Sequence, residues 1–298
     1  MIIPITEQEN PRTADIDKVS TLEAIRLINA EDQTVASAVE KVLSEIAAAI
    51  DEIVERLKNG GRLFYVGTGT SGRLGVLDAS EIPPTFGVSY DLIQGVIAGG
   101  YDALYQASES SEDDQNAGKN DLQKRGLTSK DALVGIAASG RTLYTIGAVE
   151  YAKSLGCFTA CLTCVPDSLI TKTAAVAIVP FIGAEAIAGS SRMKAGTAQK
   201  MVLNMISTAA MIKLGYVNGN RMTNVKSSNT KLKERSLRIL MSETNLNESA
   251  ASDLMEAANY DLRVAIVMHK ASVNRQTAEK SLADNNFVIE KAIARQNK

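Results

Sequence analysis

Short apolar runs alternate with helix-like segments through the middle of the sequence. Five runs are bounded by turn residues, and they span residues 63–67, 92–98, 132–137, 158–163 and 176–182. Segments with helical periodicity separate most of them, as in 141–154. Alternating strands and helices are typical of a parallel sheet with helices on both faces. Ligands bind such sheets beyond the carboxyl ends of the strands, so the loops after the runs are the candidate site.

An amphipathic helix is predicted over residues 33–58, before the first run. Apolar residues recur there at helical spacing: Val35, Val39, Val42, Ile46, Ile50, Ile53 and Leu57. Gly60 and Gly61 end this helix. A short helix is expected near Thr21, and residues 1–20 are expected to form an irregular arm.

The composition changes near Asn218, after which four helical patterns follow. They cover about 232–242, 248–257, 261–269 and 275–294. The predicted fold is therefore α/β, a three-layer αβα sandwich with a five-stranded parallel sheet and a small C-terminal helical appendage. The predicted divisions are an arm and long helix at 1–54, an α/β domain that carries the sheet at 55–218, and a helical region at 219–298.

The charge balance of the 298 residues narrows the possible partners. There are 32 basic and 34 acidic residues, a net charge of −2, and 45% of residues are hydrophobic. This balance gives no indication of nucleic acid or an anionic membrane as a partner. The N-terminus lacks the features of a secretory signal, and no apolar run approaches about 18 residues. A cytoplasmic protein is expected.

Three cysteines lie close together at Cys157, Cys161 and Cys164. The spacing could suggest a metal site, but the only histidine, His269, is about a hundred residues away. The run around the cysteines has strand character, and buried thiols behave as small hydrophobic groups. We expect structural cysteines and no metal site.

A glycine-rich loop follows the first run. It comprises Gly67, Thr68, Gly69, Thr70, Ser71 and Gly72, and a helical pattern comes next. A strand that leads through such a loop into a helix presents backbone N–H groups to an anion. The spacing also fits a dinucleotide fingerprint, but the next run ends in Gly99-Gly100 without the acid that a ribose needs. A phosphate monoester is favoured, with a dinucleotide or a plain turn as alternatives.

A second loop of similar composition, Ser139-Gly140-Arg141-Thr142, follows the third run. Two such loops at one edge of a sheet would face the same crevice, although Ser139 could equally be an ordinary helix cap. A third segment carries further polar residues: Glu185, Ser190, Ser191, Arg192 and Lys194. Either serine could cap the following helix, whose basic first turn suits a bound anion or a solvated surface equally well.

Two carboxylates are candidates for proton transfer. Glu81 precedes Pro83 and Pro84, which are expected to end the preceding helix at an extended Ile82. Taken alone, the position of Glu81 is typical of an acidic residue on the protein surface. Glu112 lies in an acidic cluster with Glu109, Asp113 and Asp114, from which the pattern cannot separate it. Two acids beside a sugar phosphate would suit general acid–base catalysis if their environments separated their pKa values.

Long motifs in this sequence resemble the sugar isomerase (SIS) domain family and, within it, the N-acetylmuramic acid 6-phosphate etherases. The matching segments are 6–11, 66–74, 78–85, 97–100, 136–142 and 189–200. The resemblance runs from near the N-terminus to about residue 225 and more loosely to the end.

The resemblance implies cleavage of the D-lactyl ether of N-acetylmuramic acid 6-phosphate by elimination followed by water addition. Glu81 would be the general acid and Glu112 the base at C2. A homodimer is implied, with the site near the subunit interface and no metal or cofactor. A phosphosugar isomerase and a sensor resembling glucokinase regulatory protein are the alternatives. The predicted substrate-binding residues are Gly67, Thr68, Gly69, Thr70, Ser71, Gly72, Ser139, Gly140, Arg141, Thr142, Glu185, Ser190, Ser191 and Lys194.

Overall fold

A five-stranded, fully parallel sheet forms the centre of the fold. The computed structural model describes residues 3–106, 112–224, 230–285 and 287–296. The strands are β1 (Leu63–Gly67), β2 (Ile93–Ile97), β3 (Ala132–Ile136), β4 (Phe158–Leu162) and β5 (Val176–Ile178). Their order is β2-β1-β3-β4-β5. All five predicted strands are confirmed, although the fifth ends at Ile178 and not at 182.

The sheet has a point where the order of strands reverses. From β1 the chain moves outward to β2, and β3 returns to the other side of β1. Gly67 pairs with Ile97 on one side and Ile136 on the other, so the three strands end at the same level. Such a reversal opens a crevice beyond the carboxyl ends of the two inner strands. The loops after β1 and β3 both begin there.

Helices cover both faces of the sheet. Those between and around the strands are α1 (Thr21–Glu40), α2 (Leu43–Lys58), α3 (Gly69–Phe86), α4 (Gln115–Lys124), α5 (Leu143–Ser154), α6 (Leu169–Thr173) and α7 (Lys194–Lys213). Alternation along β1 directs Phe64 to a core that includes Tyr144 and Val149 of α5. Tyr65 points to the other face, where the close approach of α3 leaves room only for Gly75. The predicted three-layer arrangement is confirmed.

The described chain divides into two compact units. One contains residues 1–80 and 90–207, and the other contains 81–89 and 208–298. The second unit has a short hairpin, β6 (Val217–Asn218) with β7 (Arg221–Met222), and the helices α8 (Thr230–Thr244), α9 (Glu248–Ala257), α10 (Leu262–Lys270), α11 (Arg275–Asp284) and α12 (Ile289–Gln296). The three-part division expected from the sequence stays a prediction.

The C-terminal helices pack around an apolar core of their own. Leu240, Ala251, Ile266, Leu282 and Ile289 are among its members. The first three predicted helical patterns are confirmed. The fourth is two helices, because the chain turns at Phe287, whose φ is +60°.

The helix predicted over 33–58 is wrong as a single element, because α1 and α2 are separated by a turn at Lys41 and Val42. Val42 leaves helical geometry with φ −120° and ψ 19°. The buried residues Val39 and Ile46 keep helical spacing across the turn, so the apolar pattern does not reveal it. The expected irregular arm contains two short 3-10 helices, Ile5–Glu7 and Pro11–Thr13.

The prediction that prolines end a helix near Ile82 is also wrong. Helix α3 continues through Pro83 and Pro84 to Phe86. The two prolines lack the N–H groups that would bond to the carbonyls four residues earlier, but their fixed φ of about −65° is compatible with helical geometry, and the helix ends two residues after Pro84. The end is secured by the N–H of Gly87 (φ +65°), which donates to Pro83 O at 2.8 Å.

The three cysteines are buried and unpaired, as the sequence predicted. Burial raises the pKa of Cys161 and of Cys164 to about 12, so both remain thiols. Within the described ranges, no group of three histidine, cysteine or acidic side chains is arranged to hold a metal ion. No helix in the same ranges is long and apolar enough to span a membrane.

Candidate active site

The loop after β1 contains glycines at positions where any side chain would displace neighbouring backbone atoms. A Cβ atom on Gly67 would lie 2.9 Å from Ile136 O, and one on Gly72 would lie 2.6 Å from Gly67 O. Gly69 has φ +50° and begins α3 directly. The first N–H groups of a helix have no intrahelical acceptors. This tight turn therefore presents them at the crevice beyond β1.

Hydroxyl groups surround this helix start. Thr68 and Ser71 are almost fully buried, and Thr70 is half-buried. The methyl group of Thr70 lies 3.5 Å from the position of a Cβ on Gly196, in the first turn of α7. The loop is thus seated against α7 on one side and opens toward β3 on the other.

The loop after β3 makes a second turn at the same level of the sheet. Gly140 has φ +66°, and a side chain there would collide with Ser168. Ser139 Oγ accepts a hydrogen bond from Arg141 N at 3.4 Å. The residue that caps α5 is Thr142 and not Ser139, and the Thr142 hydroxyl makes no capping bond. That hydroxyl is therefore available to a ligand at the helix start.

Glu112 lies between the two loops. Its carbonyl oxygen accepts from Tyr144 N at 3.0 Å, which fixes its backbone to the first turn of α5. Its side chain reaches in the other direction, and Oε1 lies 3.5 Å from the position of a Cβ on Gly69. Glu112 is half-buried at this point. The structure therefore brings a carboxylate to the start of α3, beside the predicted phosphate site.

The neighbouring acids are placed differently, which the sequence pattern could not show. Asp113 is exposed. Asp114 caps α4, because its Oδ1 accepts from Asn116 N at 2.9 Å and from Ala117 N at 3.1 Å. Glu109 lies outside the described residues. Among the described members of the cluster, Glu112 alone faces the loop after β1.

Glu81 is exposed on α3, twelve residues after Gly69. A helix rises 1.5 Å per residue, so Glu81 lies about 18 Å along the axis from the helix start. The predicted role of Glu81 as general acid stays a prediction.

The start of α7 is occupied by a carboxylate of the chain itself. Glu185 Oε2 accepts from Lys194 N at 2.8 Å, and Oε1 accepts from Ala195 N at 2.9 Å. The prediction that Ser190 or Ser191 caps this helix is wrong, because the cap comes from Glu185. Burial raises the pKa of Glu185, although both backbone donors act to lower it. Both serines are half-buried just before the helix.

The side chain of Lys194 is fully buried in an ion-pair network. Its Nζ donates to Glu31 Oε2 at 2.7 Å and to Ile182 O at 2.9 Å. Arg12 pairs with both oxygens of Glu31, through Nε to Oε1 at 2.6 Å and through Nη2 to Oε2 at 2.8 Å. Burial raises the pKa of Glu31, but hydrogen bonds from Lys194, Arg12 and Asn10 outweigh it and leave the pKa below 4.5.

These contacts give Glu185 and Lys194 structural partners within the chain, and their predicted contact with substrate stays a prediction. The N-terminal arm packs over the same segment, where Thr13 Oγ1 donates to Ala186 O at 2.8 Å. Gly189 N donates to Thr6 O at 2.9 Å. Sequence reasoning missed Arg12 and Glu31, because nothing in the local pattern links residues so far apart.

Helices α3 and α7 run parallel and are joined by polar contacts. Ser71 Oγ donates to Gln199 Oε1 at 3.0 Å. Further along both helices, Asp78 Oδ1 accepts from Asn204 Nδ2 at 2.7 Å and from Ser207 Oγ at 3.1 Å. The paired positions rise together along the two helices, so their N-termini meet at the crevice.

Asp78 is 5% exposed, and burial raises its pKa above 3.8 although Asn204 and Ser207 act to lower it. The folded state thus binds the proton of the Asp78 carboxyl more tightly than the unfolded state does. The free energy of unfolding therefore decreases as pH rises from about 4 through the raised pKa.

We expect Asp78→Asn, which keeps an acceptor for Asn204 and Ser207, to remove this decrease. The free energy of unfolding of this variant minus that of the wild type should therefore increase as the pH rises from about 4 to about 7. Urea unfolding at several pH values measures it, and a difference independent of pH would contradict it.

Comparison with known proteins agrees with this architecture. A family model described as the glucokinase regulatory protein N-terminal SIS domain matches residues 45–153. Among solved structures, a putative phosphosugar isomerase involved in capsule formation from Bacteroides fragilis is similar with a TM-score of 0.51 and 19% identity, covering 67% of this chain and 95% of that one. The protein c3406 of E. coli CFT073 has a TM-score of 0.50 and 18% identity, covering 68% and 97%. These likenesses show the fold.

Curated proteins give a much closer match. An N-acetylmuramic acid 6-phosphate etherase from Clostridium botulinum is 51% identical over 289 residues, which cover 97% of this chain and 96% of that protein. One from Clostridioides difficile is 50% identical and covers 97% and 95%. With half of its residues identical over almost the whole length, this chain belongs to the N-acetylmuramic acid 6-phosphate etherase family.

Proposed function

We propose that this protein cleaves the D-lactyl ether bond of N-acetylmuramic acid 6-phosphate, giving N-acetylglucosamine 6-phosphate and D-lactate. The observation that carries the proposal is the position of Glu112, whose carboxylate lies beside Gly69 at the start of α3. A base next to an anion site suits a sugar phosphate, because the phosphate holds the ring within reach of the base. The identity to named etherases selects the substrate.

The phosphate would bind where α3 begins. Backbone N–H groups of its first turn donate to the phosphate oxygens, and the helix dipole favours the negative charge. Thr68, Thr70 and Ser71 add hydroxyl groups on one side, and Ser139 and Thr142 add them on the other. The exposed guanidinium of Arg141 supplies a positive charge near the second loop.

The reaction requires two proton transfers. In the ring-opened sugar the aldehyde makes the C2 proton acidic, and Glu112 removes it. The C3–O bond then breaks, and lactate leaves with a proton from Glu81, because an alkoxide is a poor leaving group. Water adds its oxygen to C3 of the alkene, and a proton returns to C2. Each positioned transfer typically contributes about 10²–10⁴-fold in rate.

We further propose a homodimer in which each copy supplies Glu81 to the loop of the other. Within one chain, α3 carries Glu81 about 18 Å from the helix start, which is longer than one sugar phosphate. Leu77, one turn before Glu81, is 51% exposed, and Leu22 and Ile25 of α1 are exposed as well. Apolar side chains in such positions suit a protein–protein contact.

We place this protein in the cytoplasm. Its three free cysteines suit that compartment, because the cytoplasm is reducing and keeps thiols unpaired.

A lactate assay on the purified protein tests this function. With N-acetylmuramic acid 6-phosphate in heavy-oxygen water, we expect release of D-lactate and incorporation of the label at C3 of the sugar product. Elimination followed by addition forms a new C3–O bond from water, which explains the position of the label. Label in lactate would contradict this route. Aldose–ketose conversion without lactate would indicate an isomerase, and binding without turnover would indicate a regulator.

A further inference from the structure

Gln199 is buried on α7, directly against the loop that follows β1. It is 1% exposed, and its Oε1 accepts from Ser71 Oγ at 3.0 Å. Its Nε2 has no hydrogen-bond partner within the described residues. A buried amide donor without an acceptor is costly, and such groups in native proteins require an explanation.

The same hydrogen bond removes the proton that a phosphate needs from Ser71. A serine hydroxyl has one proton to donate. When Ser71 donates it to Gln199, only lone pairs remain on the hydroxyl, and these repel the oxygens of a phosphate. The arrangement therefore leaves one unpaired donor on Gln199 and withholds one donor from the ligand.

We propose that Gln199 is a positioning residue of the phosphate site, which donates from Nε2 to Ser71 Oγ so that Ser71 donates its proton to the phosphate. A half turn of the amide exchanges Oε1 and Nε2 with almost no change in shape. The turn gives Nε2 its missing acceptor and frees the Ser71 proton. This inference rests on the proposed phosphate site, but not on the chemistry at the lactyl ether.

The position of Gln199 is held by the rest of α7. Its first turn is fixed by Glu185 and by the buried Lys194, and a later turn is bonded to Asp78. The amide can therefore rotate while its helix stays in place. Gln199 acts only through Ser71, and its effect is confined to ligands that carry a phosphate.

Titration calorimetry on the full chain tests the proposal. The probes are N-acetylglucosamine 6-phosphate and inorganic phosphate, with N-acetylglucosamine as the ligand without phosphate. We expect Ser71→Ala to weaken binding of the sugar phosphate about 10-fold or more, and Gln199→Met about 5-fold. In the Ser71→Ala background, Gln199→Met should cause no further loss. In turnover, Gln199→Met should raise KM and leave kcat unchanged.

Ser207→Ala is the matched control, because it removes a hydrogen bond between the same two helices without touching Ser71. It should change phosphate affinity by less than about 2-fold. Gln199→Glu provides a second variant if Gln199→Met folds poorly. Its carboxylate only accepts, so it retains the Ser71 proton, and we expect about 10- to 100-fold weaker binding of both phosphate probes.

Three results would overturn the proposal. The first is wild-type affinity for the sugar phosphate in Gln199→Met. The others are a loss of affinity from Gln199→Met that is as large in the Ser71→Ala background as in the wild type, or a loss in Ser207→Ala as large as that in Gln199→Met. If phosphate binding depends on Gln199 but the protein releases no lactate, the inference on Gln199 is supported and the proposed reaction is refuted.

Discussion

Glu112→Gln is expected to abolish both lactate release and exchange of the C2 proton with solvent, whereas Glu81→Gln should lose lactate release and retain exchange. The amide at residue 112 cannot accept the C2 proton, so neither step begins. The amide at residue 81 leaves the base intact and removes only the proton donor for lactate. Each loss should be about 10²–10⁴-fold. Deuterium incorporation at C2, measured with lactate release, separates the two roles.

Asp113→Asn is the control for Glu112, because Asp113 is its exposed neighbour in the same acidic cluster. It should retain full activity. Loss of C2 exchange in Glu81→Gln would contradict the division of roles, and so would exchange that persists in Glu112→Gln.

The two inactive variants also test whether two chains share a site. When equal amounts are mixed and allowed to exchange subunits, half of the dimers contain one copy of each variant. If each site takes Glu112 from one copy and Glu81 from the other, one of the two sites in such a dimer is intact. About a quarter of wild-type activity should return. Sites formed within one chain would give no recovery.

Lys194→Met is expected to lower the free energy of unfolding by about 3–5 kcal/mol. The ammonium is fully buried and paired with Glu31, so its removal leaves Glu31 with only the largely exposed Arg12 as a cation. Ile182 O also loses its donor. Urea unfolding measures the effect, and Lys200→Met, at an exposed position of the same helix, should change stability by less than about 0.5 kcal/mol.

A double variant separates the ion pair from simple packing. Glu31→Leu in the Lys194→Met background removes the unpaired carboxylate, so most of the lost stability should return. In the wild type, Glu31 has a lowered pKa, so its contribution is present above pH 4.5 and is lost as the pH falls through the lowered value. No recovery in the double variant would show that packing of the lysine stem, and not charge, supplies the stability.

The sequence was sufficient to predict the sheet, because buried parallel strands are short apolar runs with turns at both ends. It was also sufficient for the loop after β1, where the tight turn needs Gly67 and Gly72 at fixed positions. It failed at Lys41 and Val42, since the turn there preserves the apolar spacing. It failed at Pro83, because the fixed φ of proline, about −65°, is compatible with the helix, which continues to Phe86.

The site was predicted only in part, and the reason is distance along the chain. Local pattern cannot show that Glu185 caps α7 or that Lys194 pairs with Glu31 across 163 residues. It also could not distinguish Glu112 from Asp113 and Asp114. Only the fold brings one of these acids beside Gly69.

The carboxylate of Glu185 at the start of α7 has a consequence for selectivity. Because Glu185 already neutralises the start of α7, we expect an incoming phosphate monoester to bind at the start of α3, beside the loop that leads into α5, and not at α7. A substrate anchored by its charged end at one place cannot turn end for end. Each carbon of the bound sugar would then always face the same side chains. This fixed orientation would restrict the reaction to one carbon–oxygen bond of the sugar.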